Sequence, residues 1–116
     1  MGSAKAARRA VAYIRVACPA GEAHEPERQL IERWAEREQV DVASWQIDVG
    51  VDGMTPIAER PALLAAYRAI SEQRAGILVA ANAAQFSLDE LVSWLIERAA
   101  LTQGAVLQTV DGSRAP

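Results

Sequence analysis

Short apolar runs alternate with longer stretches of helical periodicity along this chain, and that alternation leaves few folds open. Ala10 to Val16, AVAYIRV, is a β-branched and aromatic run suited to a strand buried on both faces, interrupted only by Arg15. Pro19 and Gly21 mark a loop from Cys18 to Glu25, and Pro26 suits the first turn of a helix. In that helix, which extends to about Gln39, Leu30, Ile31, Trp34 and Ala35 recur at helical spacing. Val40 to Val49 predicts a second strand ending at Asp48, followed by a loop punctuated by Gly50 and Gly53. Pro61 opens a second helix running to about Gln73, with Leu63, Leu64, Tyr67 and Ile70 as its apolar stripe. Gly76 to Ala80 predicts a central strand, and Ser87 with Glu90 reads as a capping box opening a third helix. Leu91, Val92, Leu95 and Ile96 are its expected buried face, and AVLQTV after Gly104 predicts a fourth strand.

Strands alternating with helices at these lengths predict an α/β fold: right-handed βαβ units and a three-layer, mostly parallel four-stranded sheet with helices on both faces. The expected division is a basic flexible tail over residues 1–9, one domain over residues 10–112 and a frayed end over residues 113–116. A Rossmann dinucleotide site does not fit, because VACPAGEA after the first strand has no GxGxxG run, and no GxxxxGK[ST] phosphate loop is present.

Charge and side-chain chemistry narrow the functions further. The formal net charge is −3, whereas a self-sufficient DNA-binding domain carries a basic surplus to neutralise phosphates. Lys5, Arg8 and Arg9 make only a small basic terminus. Cys18 is the single cysteine and His24 the single histidine, which excludes an internal disulfide and disfavours a structural zinc site, so no metal or other cofactor is expected. No apolar run approaches the roughly 20 residues of a membrane-spanning helix, and the first residues lack the apolar stretch of a signal peptide. The expectation is a cytoplasmic protein with no membrane association.

Several short motifs, in order and at matching spacing over residues 10–112, resemble the catalytic domain of the serine recombinases and resolvases. They are YIRVA at Tyr13 to Ala17, Gln29 in the first helix, Asp48 before a glycine-containing loop, ERPALLAAY at Glu59 to Tyr67, and ILVAANAAQFSLDELV at Ile77 to Val92. The resemblance implies a resolvase-like fold. It also implies where chemistry would sit, because the family's first motif looks like Y-x-R-V-S, whose serine attacks a DNA phosphate and becomes joined to the strand.

Ala17 stands at that serine position, and a methyl group cannot act as a nucleophile. The family's motif after the central strand looks like K-x-D-R-L-S-R-D, whose arginines brace the phosphate and offset charge in the transition state. Here Asn82 falls at the lysine, Ala84 at the aspartate, Gln85 at the first arginine and Leu88 at the second, while Phe86, Ser87 and Asp89 keep the helix-starting frame. Arg15, Gln29, Asp48 and Arg60 remain as half of a pocket. The expectation for them is structural: Asp48 paired with Arg15 or Arg60, pinning strand ends to the second helix.

The resemblance and its departures imply a recombinase fold without catalytic residues, acting as a protein-interaction or regulatory module that binds another chain or itself, a homodimer included. A second reading is a DNA-associated regulator or an accessory subunit of a recombinase assembly, with weak or no DNA binding of its own. A third is an enzyme in which Cys18 replaces the serine one residue late. Active relatives continue into a dimerisation helix and a helix-turn-helix domain, which nothing after Gly112 is expected to supply. Of the tryptophans, Trp34 and Trp94 are expected in the core, and Trp45, on a strand that could lie at the sheet edge, is the interface candidate.

Overall fold

A computed structural model describes residues 8–17 and 24–113. In chain order the elements are β1 (Arg8–Val16), α1 (Glu25–Glu38), β2 (Val40–Val49), a 3₁₀ turn (Ile57–Glu59), α2 (Pro61–Gln73), β3 (Ile77–Ala80), α3 (Ala83–Phe86), α4 (Glu90–Gln103) and β4 (Val106–Thr109). The four strands pair in the order β2-β1-β3-β4, and every pairing is parallel. The expected "mostly parallel" sheet is thus wholly parallel.

Alternate residues of β1 feed two separate cores, as the pleat requires. Val11 and Tyr13 face a cluster built with Leu63, Ala66 and Ile70 of α2 and Ile96 and Ala100 of α4. Ala10, Ala12 and Ile14 face the other side, where Ile31, Trp34 and Ala35 of α1 close over them. A strand covered on both faces must be apolar at every position, which is why Ala10–Ile14 is buried without a break.

One irregularity decides which side of the sheet carries the polar residues of β2. Ala10 pairs with Val42 and Val11 with Ser44, so Ala43 is an extra residue, a β-bulge. Val40 and Val42 before the bulge, and Trp45 and Ile47 after it, all pack on the α1 side although their numbers differ in parity. Asp48 is thereby turned to the α2 side, together with Tyr13.

Helix ends follow the local sequence. Pro26 and Pro61 lie in the first turns of α1 and α2, where a missing N–H is harmless. Gly104 closes α4 in the left-handed region at φ 104°, its N–H bonding to the carbonyls of Ala100 and Leu101. The expected capping box is displaced by two residues: Asp89, not Ser87, caps α4, its carboxylate accepting from Val92 N at 3.0 Å. Ser87 instead ends the single turn of α3.

Other expectations are corrected. Arg8 and Arg9 belong to β1 rather than to a tail, and their guanidiniums donate to Glu38 O and Gln73 O. Ser113 is tied in, its Oγ accepting from Ala83 N at 2.8 Å and its carbonyl from Thr109 Oγ at 2.7 Å. Lys5 and residues 114–116 lie outside the described residues. Leu30 and Leu64 are exposed beside the buried stripes of their helices. On α4 the buried positions are Ser93, Ile96 and Ala100, and Val92 is partly buried, whereas Leu91, Trp94 and Leu95 are exposed. Trp34 is in the core as expected, but Trp94 is not. The inner face of α4 is thus formed by Ser93, Ile96 and Ala100, and Leu91, Trp94 and Leu95 are left outside.

Candidate functional site

The carboxyl ends of β1 and β2, the start of α2 and the loop after β3 meet at one place, and most of the residues singled out above converge there. Asp48, 2% exposed, accepts Tyr13 OH at 2.8 Å and the main-chain N–H groups of Ala62 at 2.8 Å and Leu63 at 3.1 Å. Arg60, the residue before α2, provides no side-chain cap of its own. Asp48 therefore caps α2 from a neighbouring strand, placing a negative charge at the positive end of the helix. This is not the expected pairing with Arg15 or Arg60.

Both arginines bond to main-chain carbonyls instead. Arg15 donates from Nε to Gln85 O at 3.3 Å, from Nη1 to Val51 O at 3.2 Å and from Nη2 to Ala84 O at 2.5 Å. Arg60, fully buried, donates from Nε to Thr55 O at 3.0 Å, from Nη2 to Gly53 O at 3.4 Å and from Nη1 to Phe86 O. Neither is among the ion pairs formed by the described residues. The two guanidiniums cross-link the loop after β2 to the segment around α3, using donor geometry that a lysine could not reproduce.

Residues around them complete the seal. Gln85 turns its Oε1 to accept Arg15 N at 2.7 Å, and Asn82 caps the turn of α3 by accepting Gln85 N at 3.2 Å. Gly53 O accepts from Ser87 Oγ at 3.1 Å and from Leu88 N at 3.0 Å as well as from Arg60. Leu88 lies so close to Gly53 that a Cβ there would meet Leu88 Cγ at 2.5 Å. Ala84 is partly buried and Phe86 stacks on Tyr13 with 6.3 Å between ring centroids.

Electrostatics follow from this packing. Burial, followed by the hydrogen bond to Asp48, pushes the Tyr13 hydroxyl well above its ordinary value. Burial and then the neighbouring Arg60 lower the Arg15 guanidinium. Tyr67, with no hydrogen-bond partner for its hydroxyl among the described residues, is pushed up to about 12 by burial.

Two expected members stand apart, and one lies beyond view. Ala17 is exposed where β1 ends, next to Val16, whose carbonyl accepts from Gly50 N and Val51 N. Gln29 is exposed on α1, across the sheet from Tyr13 and Asp48, and makes no side-chain hydrogen bond among the described residues. Cys18 is outside the described residues. Trp45 sits on the edge strand β2, partly buried, with the Arg28 guanidinium 4.5 Å from its ring centroid. Reading the sequence did not reveal the roles of Gly53 and Ser87. Their only local sign is the Asx turn at Asp52, which accepts Met54 N at 2.9 Å and Thr55 Oγ1 at 3.1 Å and fixes the loop that presents Gly53 O.

The arrangement of sheet and helices is similar to that of serine-recombinase catalytic domains. The N-terminal catalytic domain of TP901-1 integrase matches with a TM-score of 0.77 at 16% identity, over 90% of this chain and 79% of that one. The C-terminal catalytic domain of ISC1926 TnpA, an IS607-like serine recombinase, matches with a TM-score of 0.75 at 19% identity, over 88% and 70%. A resolvase family site-specific recombinase from Streptococcus pneumoniae gives 0.74 at 16% identity, over 90% and 74%. No protein-family model and no curated protein matches the sequence. The fold is therefore resolvase-like, carried by a sequence far from those of its structural neighbours.

Proposed function

We propose that this domain keeps the recombinase scaffold as a non-cleaving protein-interaction or regulatory module. The observation that carries this reading is the use made of Arg15 and Arg60: each guanidinium is tied to three main-chain carbonyls. Three of the five N–H donors of each guanidinium are thereby committed to holding the fold together, and Arg60 is fully buried. Ala17 supplies no nucleophile, and Gln85 and Leu88 supply no cation. The test is to incubate the unaltered protein with total DNA of its source organism and trap covalent protein–DNA adducts under denaturing conditions. No adduct is expected, and one attached to this chain would overturn the reading.

A second reading, as a DNA-associated regulator, draws on one observation. Arg8, Arg9 and Arg74 border a cleft at the amino ends of β1 and β3. Asp41 borders it too, and Arg8 is within 4.0 Å of Glu38. Duplex binding that is measurable at low salt and falls steeply as salt rises would favour this reading, and no binding at low salt would end it.

A further inference from the structure

Among the described residues, β4 pairs with β3 alone. Val106 N bonds to Gly76 O and Val110 N to Ala80 O, so the parallel ladder uses alternate residues of β4 and turns Leu107 and Thr109 outward. The carbonyl of Thr109 accepts Gly112 N in the following turn. Leu107 N–H, Leu107 C=O and Thr109 N–H are thus directed away from the sheet.

Beside this edge runs a groove of about 540 Å³ between β4 and α4. Ser93 lines it, 2% exposed, and its hydroxyl has no hydrogen-bond partner among the described residues. A buried hydroxyl without a partner is destabilising relative to a satisfied one. Glu90 and Glu97 line the same groove, and Trp94, 53% exposed, forms an apolar wall. Open strand edges of this kind take a further strand, with main-chain bonds giving affinity and side-chain pockets giving selectivity.

We propose that this edge and groove dock an extended segment of a partner protein that carries a lysine or arginine next to apolar residues. The segment adds as a strand to β4 through Leu107 and Thr109. Its basic side chain lies between Glu90 and Glu97, an apolar residue rests on Trp94, and the Ser93 hydroxyl gains a partner. The partner chemistry is set by charge: the groove lining is acidic, and an acidic segment would be repelled. The inference names a surface for the interaction module and rests on that reading. DNA adduct formation and peptide binding are separate measurements, so the two can fail independently.

The test titrates a short acetylated peptide of alternating lysine and valine into the isotope-labelled full chain, in parallel with the same peptide carrying glutamate for lysine. The lysine peptide is expected to shift the Leu107 and Thr109 amide resonances and slow their hydrogen exchange, and to bind about tenfold or more tightly than the glutamate peptide. Glu97 is exposed, so Glu97→Lys leaves the fold intact and is expected to reverse the preference, with Glu97→Gln intermediate. Ser93→Ala is expected to weaken binding several-fold without lowering stability. Equal binding of both peptides, no binding, or shifts that map away from β4 would overturn the proposal. Concentration-dependent protection of those two amides in the protein alone would also overturn it, by making a second copy the occupant.

Discussion

At the scale of single residues, the surviving polar positions serve the fold, and each can be tested by what its removal exposes. Asp48→Ala leaves Tyr13 OH and two N–H groups of α2 unsatisfied and is expected to cost about 2–4 kcal/mol in urea unfolding, with Tyr13→Phe nearer 1 kcal/mol. Tyr67→Phe removes a buried hydroxyl that bonds to nothing described, so stability should hold or rise. Both tyrosines titrate above their ordinary value of 10.0 in the folded state, so their neutral form is favoured by folding. That contribution is fully present below pH 10.0 and is lost as pH rises toward about 12 for Tyr67. The urea midpoint should fall over that window, and ultraviolet titration should show tyrosinate appearing late. Gly53→Ala forces Leu88 aside and is expected to cost about 1 kcal/mol, since Leu88 is exposed and can move; Leu88→Ala in that background should recover most of the loss.

At the scale of elements, the bulge at Ala43 determines what β2 presents. Alternation in the sequence places a strand there, but a single inserted residue reverses the side on which everything after it falls. Deleting Ala43 joins Val42 to Ser44 in the pairings they already make with Ala10 and Val11, so Trp45, Ile47 and Asp48 are expected to keep their faces and the variant to keep native near-ultraviolet circular dichroism and NMR dispersion. Inserting a residue between Ile47 and Asp48, by contrast, should turn Asp48 away from α2 and abolish both. Loss of the native signals on deletion of Ala43, or their retention after the insertion, would contradict this register. The same limit applies to α4, where periodicity identifies the helix but not the face: Leu91, Trp94 and Leu95 outweigh Ser93 and Ala100 in hydrophobicity, yet the face turned inward is that of Ser93, Ile96 and Ala100. It also explains the cap, because Ser87 and Asp89 are both good capping residues and only the turn of α3 assigns them.

At the scale of the whole molecule, the order of strands and helices is legible because a parallel sheet covered on both faces demands apolar strands and amphipathic helices in alternation. The cluster at the strand ends is legible only as a set of residues: Tyr13, Arg15, Asp48, Arg60 and Gln85 converge, while Gln29 does not. Their partners were not readable, because main-chain carbonyls leave no mark in a sequence and a buried arginine invites the assumption of a carboxylate. The most direct test of the account is equilibrium urea unfolding of Arg60→Met. Removing three charge-assisted hydrogen bonds to carbonyls, one of them shared with Ser87 and Leu88, is expected to destabilise the domain by about 3 kcal/mol or more. Unchanged or increased stability would contradict the assignment of Arg60 to the fold and return it to ligand binding.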